Sequence, residues 1–211
     1  MSRRLEKLDP ERQRILFAAA AEEFAANGFD GASLNRILGK TGMSKSSLYY
    51  YFDDKADLFT TLVERSVSIV FTRLGVFDAD SLTAETFWPE FEKRYARALS
   101  IVSGHGWLFR FGGIFYQLRS DRAHAAPTNR VFAAAQRWVG IILARGQALG
   151  IIRTDLPDSL LINSTMGLLE SLDRWTVEHW DELTAVQRDE LPAVHIGLFR
   201  DLLAPRPVRG R

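Results

Sequence analysis

Between residues 44 and 51 the chain reads Ser-Lys-Ser-Ser-Leu-Tyr-Tyr-Tyr, a run of hydroxyls and one ammonium interrupted by a single leucine. Such groups donate hydrogen bonds to phosphate oxygens and base edges, so the chemistry they offer is recognition of a duplex surface. Wound as a helix, residues about 100° apart leave Leu48 and Phe52 on one inward face at i and i+4. Lys45, Ser46, Ser47 and Tyr49 then point outward, and Tyr49, Tyr50 and Tyr51 cannot all be core. Lys55 adds an oddity: Asp54 reads as an N-cap, and a lysine in the first turn meets the positive end of the helix dipole. A phosphate there would resolve the conflict. The plain alternatives are that the tyrosines half-pack on neighbouring helices and that Lys55 extends into water.

These side chains need two short helices to hold them. Ser33 is a suitable N-cap, and Leu34, Ile37 and Leu38 follow at helical spacing. Gly42 breaks that helix, Met43 plugs the turn, and Ser44 caps the second helix. The result is a helix-turn-helix whose second helix faces outward. Ser33, Tyr49, Tyr51 and Lys55 flank the groove-facing helix and are expected to contact phosphates. Lys45, Ser46, Ser47 and Tyr50, behind the cap Ser44, are the candidates for base edges and thymine methyls.

Ser33, Ile37, Gly42, Ser44, Leu48, Tyr49, Phe52, Lys55 and Leu58 fall at the spacings of the DNA-binding domain of TetR-type transcriptional regulators. The resemblance covers roughly residues 15–58. Leu38 and Thr41 stand where that family often has alanine, and Tyr51 where it often has histidine. The resemblance implies an all-α chain with an N-terminal helix-turn-helix domain (1–53), a larger helical effector-binding and dimerisation domain (54–203) and a tail (204–211). It also implies a homodimer on operator DNA, released by a small molecule. Repression is the expected sign by family analogy alone.

Composition agrees. A chain of 211 residues, 46% hydrophobic, can bury a substantial core. Net charge is +1, so no global field advertises a nucleic acid. Residues 1–52 nevertheless hold eight basic side chains against six acidic, +2, which leaves −1 for the remainder. Cysteine is absent, which removes disulfides and thiolate zinc sites. The four histidines, His105, His124, His179 and His195, show no metal spacing. No cofactor is expected. No nucleophile elbow, phosphate loop or dinucleotide fingerprint occurs. A secretory signal and a membrane span are not expected either, which gives the reading of a cytoplasmic protein without a membrane partner. An all-helical enzyme acting on an apolar or aromatic small molecule is the second reading, and a protein-binding helical adaptor the third.

In chain order, Met1 to Leu8 reads as a basic, mobile arm. Asp9 and Pro10 start a helix that ends at Asn27-Gly28. A long helix from residue 54 to about 74 belongs to both halves. Further helices are expected at 83–103, 107–119, 128–149, 157–180 and 184–203. Aromatic residues crowd the middle helices. Most such rings are plain core, but their density leaves room for the cavity that the resemblance implies. Phe91, Tyr95, Trp107, Phe111, Phe115 and Trp138 are its expected apolar lining, with Asn163 and Glu170, and also Arg110 and Gln117, as candidate polar groups. Gly112 and Gly113 lie inside a helix, where each costs roughly 1 kcal/mol relative to alanine. A hinge or close helix packing would compensate. In the last two helices, Leu161, Thr165, Leu168 and Leu172, then His195, Leu198 and Leu202, make apolar stripes. The resemblance implies that these form a four-helix bundle between two subunits.

Overall fold

The computed structural model describes residues 5–117 and 126–206, and among these every regular element is helical. The helices are α1 (Pro10–Gly31), α2 (Leu34–Thr41), α3 (Lys45–Tyr51), α4 (Lys55–Leu74), α5 (Phe87–Ser103), α6 (Gly106–Gln117), α7 (Ala126–Ala148), α8 (Asp158–His179) and α9 (Ala185–Leu203).

Most boundaries follow from caps that the sequence spells. Asp9 accepts hydrogen bonds from the Glu11 and Arg12 amides, and Pro10 fills the first helical position, where no N–H is needed. The expected stop of α1 is visible as a break inside it: Gly28 has φ 66°, and one further turn carries the chain to Gly31. Gly42 closes α2 in the left-handed region, φ 64°, its N–H reaching the Leu38 carbonyl at 3.0 Å. Asp54 caps α4 through the Asp57 amide at 2.8 Å, and Asp57 in turn accepts from the Asp53 amide. Thr184 and Gln187 cap α9 reciprocally. α5 starts at Phe87 rather than 83, because Thr83 and Thr86 bond each other's backbone in a separate turn ahead of it.

The described residues up to Arg73, with those from Ile101 to Asn129, form one compact unit, and Leu74–Ser100 with the described residues from Arg130 onward form a second. In the first, α6 lies along α1. Its core holds Phe24, Phe29 and Phe59, with ring centroids 5.0–6.0 Å apart, and Phe111 of α6 approaches Phe59 at 5.7 Å. Trp107 lies 6.2 Å from Phe17. The helix α6 continues through both Gly112 and Gly113.

The N-terminal arm is shorter than expected. Leu5 and Leu8 are buried, and the Gln13 amide, itself buried, donates to both of their carbonyls, at 3.0 and 2.7 Å. Two leucines in a basic stretch cover the side of α1, and Gln13 satisfies the backbone that this buries. Arg3 and Arg4 lie outside the described residues.

In the second unit Phe77, Phe91 and Trp138 form a ring cluster at 5.4–6.3 Å, and Phe87 joins Phe91 at 4.8 Å. Arg145 of α7 donates to the Asp80 and Leu82 carbonyls and so ties down the segment before α5. Arg153 holds Asp155 through both carboxylate oxygens, at 2.7 Å each, while its amide donates to Leu203 at the end of α9.

Candidate nucleic-acid interface

Leu48 and Phe52 are the inward pair of α3, almost fully buried, and Ile37 is the buried residue of α2. Leu34 and Leu38 are half-buried, so the stripe of α2 narrows to one side chain in the core. With Leu48 and Phe52 turned inward, Lys45, Ser46, Tyr49 and Tyr50 face out, while Ser47 and Tyr51 lie at the margin. Lys45 and Ser46 are exposed, and Tyr49 and Tyr50 keep 44% and 49% of their surface in water. Tyr51 is half-buried, with the Tyr50 ring edge-on at 5.0 Å. Lys45 lies over the Tyr49 ring, 5.9 Å from its centroid. Ser44 accepts from the Ser47 amide and meets Ser46 Oγ at 3.1 Å, so its acceptor is committed to the cap while its face stays exposed.

Ser33 makes no side-chain capping bond; its amide donates instead to Glu23 of α1 at 3.0 Å. Lys55 differs from expectation in detail. Its ammonium donates to the Asp30 and Ala32 carbonyls at 3.0 and 3.1 Å and lies 4.8 Å from the centroid of the Phe29 ring. The carbonyls at the end of α1 thus answer the misplaced lysine of α4, without a phosphate. An ammonium has three donors, and two are used.

The sequence reading missed what sets α2 against α1. Glu23 is buried and accepts from Asn27, from the Ser33 amide and from Arg36, whose guanidinium reaches it at 2.6–2.8 Å and also donates to the Gly31 carbonyl. The Arg36 hydrogen bond holds the Glu23 carboxyl below the usual carboxylate range, against the opposing pull of burial. The available signal was a glutamate interrupting the apolar stripe of α1, which had no purpose on that face unless a cation met it.

The expected effector-lining residues divide between the two units. Trp107 and Phe111 pack on Phe17 and Phe59 in the first. Phe91 and Trp138 share the ring cluster of the second. Tyr95 places its hydroxyl 2.8 Å from His195 Nδ1 and 3.2 Å from Asp173 Oδ1. Asn163 is exposed, and Glu170 pairs with Arg174 one turn on. The side chains of Phe115, Arg110 and Gln117 lie outside the described residues.

The expected interface stripes need correction. Leu161, Thr165 and His195 are buried within this chain, so they serve its own core. Leu168, Leu172 and Leu202 are half-buried, and Leu198 is 43% exposed. Leu160, Trp175 and Val194 are exposed beside them. A wide apolar helix face has an inner and an outer margin, and residue spacing alone does not say which is which. Among the described residues, no helix is long and apolar enough to cross a membrane.

Residues 16–62 match the sequence profile of the bacterial regulatory proteins of the tetR family. The chain is 28% identical over 152 residues to the transcriptional repressor AcnR of Corynebacterium efficiens, spanning 71% of this chain and 73% of that protein. It is 35% identical over 57 residues to the transcriptional activator FasR of Mycolicibacterium smegmatis, 27% of this chain and 26% of that one. Its fold resembles the transcriptional regulator FadR of Bacillus subtilis, solved in complex with stearoyl-CoA, with TM-score 0.70, 19% identity, and 90% and 99% of the two chains covered.

Proposed function

The chain belongs to the tetR family of bacterial regulatory proteins through residues 16–62, and from that premise we propose that it is a homodimeric repressor that leaves its operator when a small molecule binds. It is a DNA-binding transcriptional regulator. The observation that carries the DNA-binding reading is the face of α3: with Leu48 and Phe52 turned inward, Lys45, Ser46, Tyr49 and Tyr50 stand exposed together on a helix held by Gly42 and Ser44. Hydroxyls and an ammonium on a short rigid helix suit phosphates and base edges. In this reading residues 1–53, with Lys55 just beyond them, carry the DNA contacts, 54–203 effector binding and dimerisation, and 204–211 form a tail.

Pairing follows from contact number. One short helix makes too few contacts for specific binding, and two half-sites about one DNA turn apart need two chains. The outer margin of α8 and α9, with Leu160, Leu168, Trp175, Val194 and Leu198, supplies the apolar surface for it. The repressor sign draws on likeness to AcnR, and the likeness to the activator FasR over the N-terminal part keeps the opposite sign as the competing outcome. Response to a small molecule draws support from the shared fold with a regulator that was solved with stearoyl-CoA.

The test is selection of binding sites from a random duplex library, followed by mobility shift. A two-fold symmetric site should emerge, bound by wild type and lost when Lys45 and Tyr49 are both replaced by alanine. No enriched site, or a site bound equally by that variant, overturns the reading.

A further inference from the structure

Around the axis of α3 the side chains fall into an inward line and three outer ridges, each ridge a pair of residues one turn apart. With the buried Leu48 set at 0° and steps of about 100° per residue, Lys45 and Tyr49 lie at about 60° and 100°, Ser46 and Tyr50 at about 160° and 200°, and Ser47 and Tyr51 at about 260° and 300°. Exposure follows this order. Leu48 keeps 1% of its surface in water, Ser47 and Tyr51 are half-buried, Tyr49 keeps 44%, and Tyr50, opposite Leu48, keeps 49%. Ser46 and Tyr50 are thus the crest of the outward face, and the other two ridges are its flanks.

The ridges differ in chemistry. On one flank Lys45 lies over the Tyr49 ring, 5.9 Å from its centroid, so an ammonium and a phenol stand together as a cationic edge. On the crest Ser46 is short, and its hydroxyl meets Ser44 Oγ at 3.1 Å beside the cap of α3. The group that reaches furthest from the crest is therefore the Tyr50 ring, which Tyr51 braces from one side, edge-on at 5.0 Å. Neither crest residue is an arginine, lysine, asparagine, glutamine or carboxylate, the side chains whose hydrogen bonds identify guanine, adenine and cytosine.

A helix about 10–12 Å across fills a major groove about 12 Å wide, so its crest meets the groove floor and its flanks meet the phosphate walls. Apolar contact in that groove recognises one base feature, the methyl group of thymine. We infer that Tyr50 is the specificity-determining residue of α3 and reads a thymine through its 5-methyl group, while Lys45 and Tyr49 hold phosphates along one wall. Lys45 therefore leaves the base-reading set that residue type alone suggests. This rests on the reading of the chain as an operator-binding regulator and names what it recognises in the operator.

The test uses the full chain and duplexes carrying the site that library selection returns, with each thymine replaced singly by deoxyuridine, which lacks only the methyl group. Fluorescence anisotropy at low salt, where weakened variants still bind, reads the affinity. One such replacement per half-site should weaken wild type about fourfold, the scale of one buried methyl group. Tyr50→Phe should keep that sensitivity, because the ring remains, and Tyr50→Ala should bind the thymine and uracil duplexes alike. Lys45→Ala should keep it too, and across a salt series should flatten the slope by about one unit for each chain bound. Thermal unfolding of all three variants should match wild type. Indifference of wild type to every replacement, or a methyl effect that survives in folded Tyr50→Ala, overturns the assignment of Tyr50. A Lys45→Ala chain that selects a different sequence with its salt slope unchanged overturns the assignment of the flank. A library that yields no site for wild type removes the regulator reading itself and this inference with it, so the two failures are told apart.

Discussion

At the scale of single residues, Lys55 shows how one ammonium can serve two purposes. Its bonds to the Asp30 and Ala32 carbonyls join the start of α4 to the end of α1, and one donor remains for a phosphate. Lys55→Ala should therefore weaken binding to all DNA sequences alike, flatten the salt dependence by about one unit of slope, and lower stability by about 1 kcal/mol. Mobility shifts across a salt series and a chemical melt read the two effects separately; a changed operator preference with the slope intact would count against the phosphate contact. Glu23 gives the pH prediction. Its folded-state pKa is depressed, chiefly by Arg36, so its stabilisation is full above the unfolded carboxylate pKa and is lost as pH falls through the lower, folded value. Glu23→Gln should cost a few degrees of melting temperature at neutral pH, and the difference from wild type should shrink in acid. A gap that stays constant down to low pH would show that the charge is not what braces α2.

At the scale of elements, what was legible in the sequence were the local signals. Caps such as Asp9-Pro10, Gly42, Ser44 and Thr184 with Gln187 act within a turn of the residues that spell them, and the helix ends fall close to where they point. What stayed hidden depends on partners far along the chain. The burial of Leu5 needs Gln13, Glu23 needs Arg36, and Lys55 needs carbonyls 23 and 25 residues away. The two margins of α8 and α9 belong to the same lesson. His195 lies on the inner margin, where burial lowers its pKa. If its Nδ1 carries the proton, it donates to Tyr95, whose hydroxyl can then donate to Asp173, so a single arrangement satisfies both contacts. A histidine kept neutral by folding contributes stability above its unfolded pKa, and that contribution is lost as pH falls toward the lower folded value. His195→Ala should accordingly destabilise the chain and leave the proposed pairing of two chains intact. Leu198→Glu and Trp175→Glu, on the outer margin, should give folded monomers in sedimentation. Dimers that survive both charges would place the interface elsewhere.

At the scale of the whole molecule, the question is how a ligand could change affinity for DNA. Within the first unit α4 touches two other helices: Lys55 ties its first turn to the end of α1, and Phe59 in its second turn meets Phe111 of α6. A ligand shifts this arrangement only as far as it binds the DNA-free state more tightly than the DNA-bound one. That coupling must be reciprocal, so an effector that lowers operator affinity tenfold must itself bind about tenfold more weakly to the operator complex. Gly112 and Gly113 lie inside α6 next to Phe111, each at a cost of roughly 1 kcal/mol in helix stability relative to alanine, and the proposal to test is that they let α6 yield there. Gly112→Ala with Gly113→Ala should raise the melting temperature or leave it level, keep operator binding near wild type, and increase the effector concentration needed for half-release several-fold. Titrating effector into the operator complexes of wild type and double variant decides this. Superimposable release curves, from a variant with an unchanged melt, would mean that α6 moves as a rigid body and that the coupling runs through α4 alone.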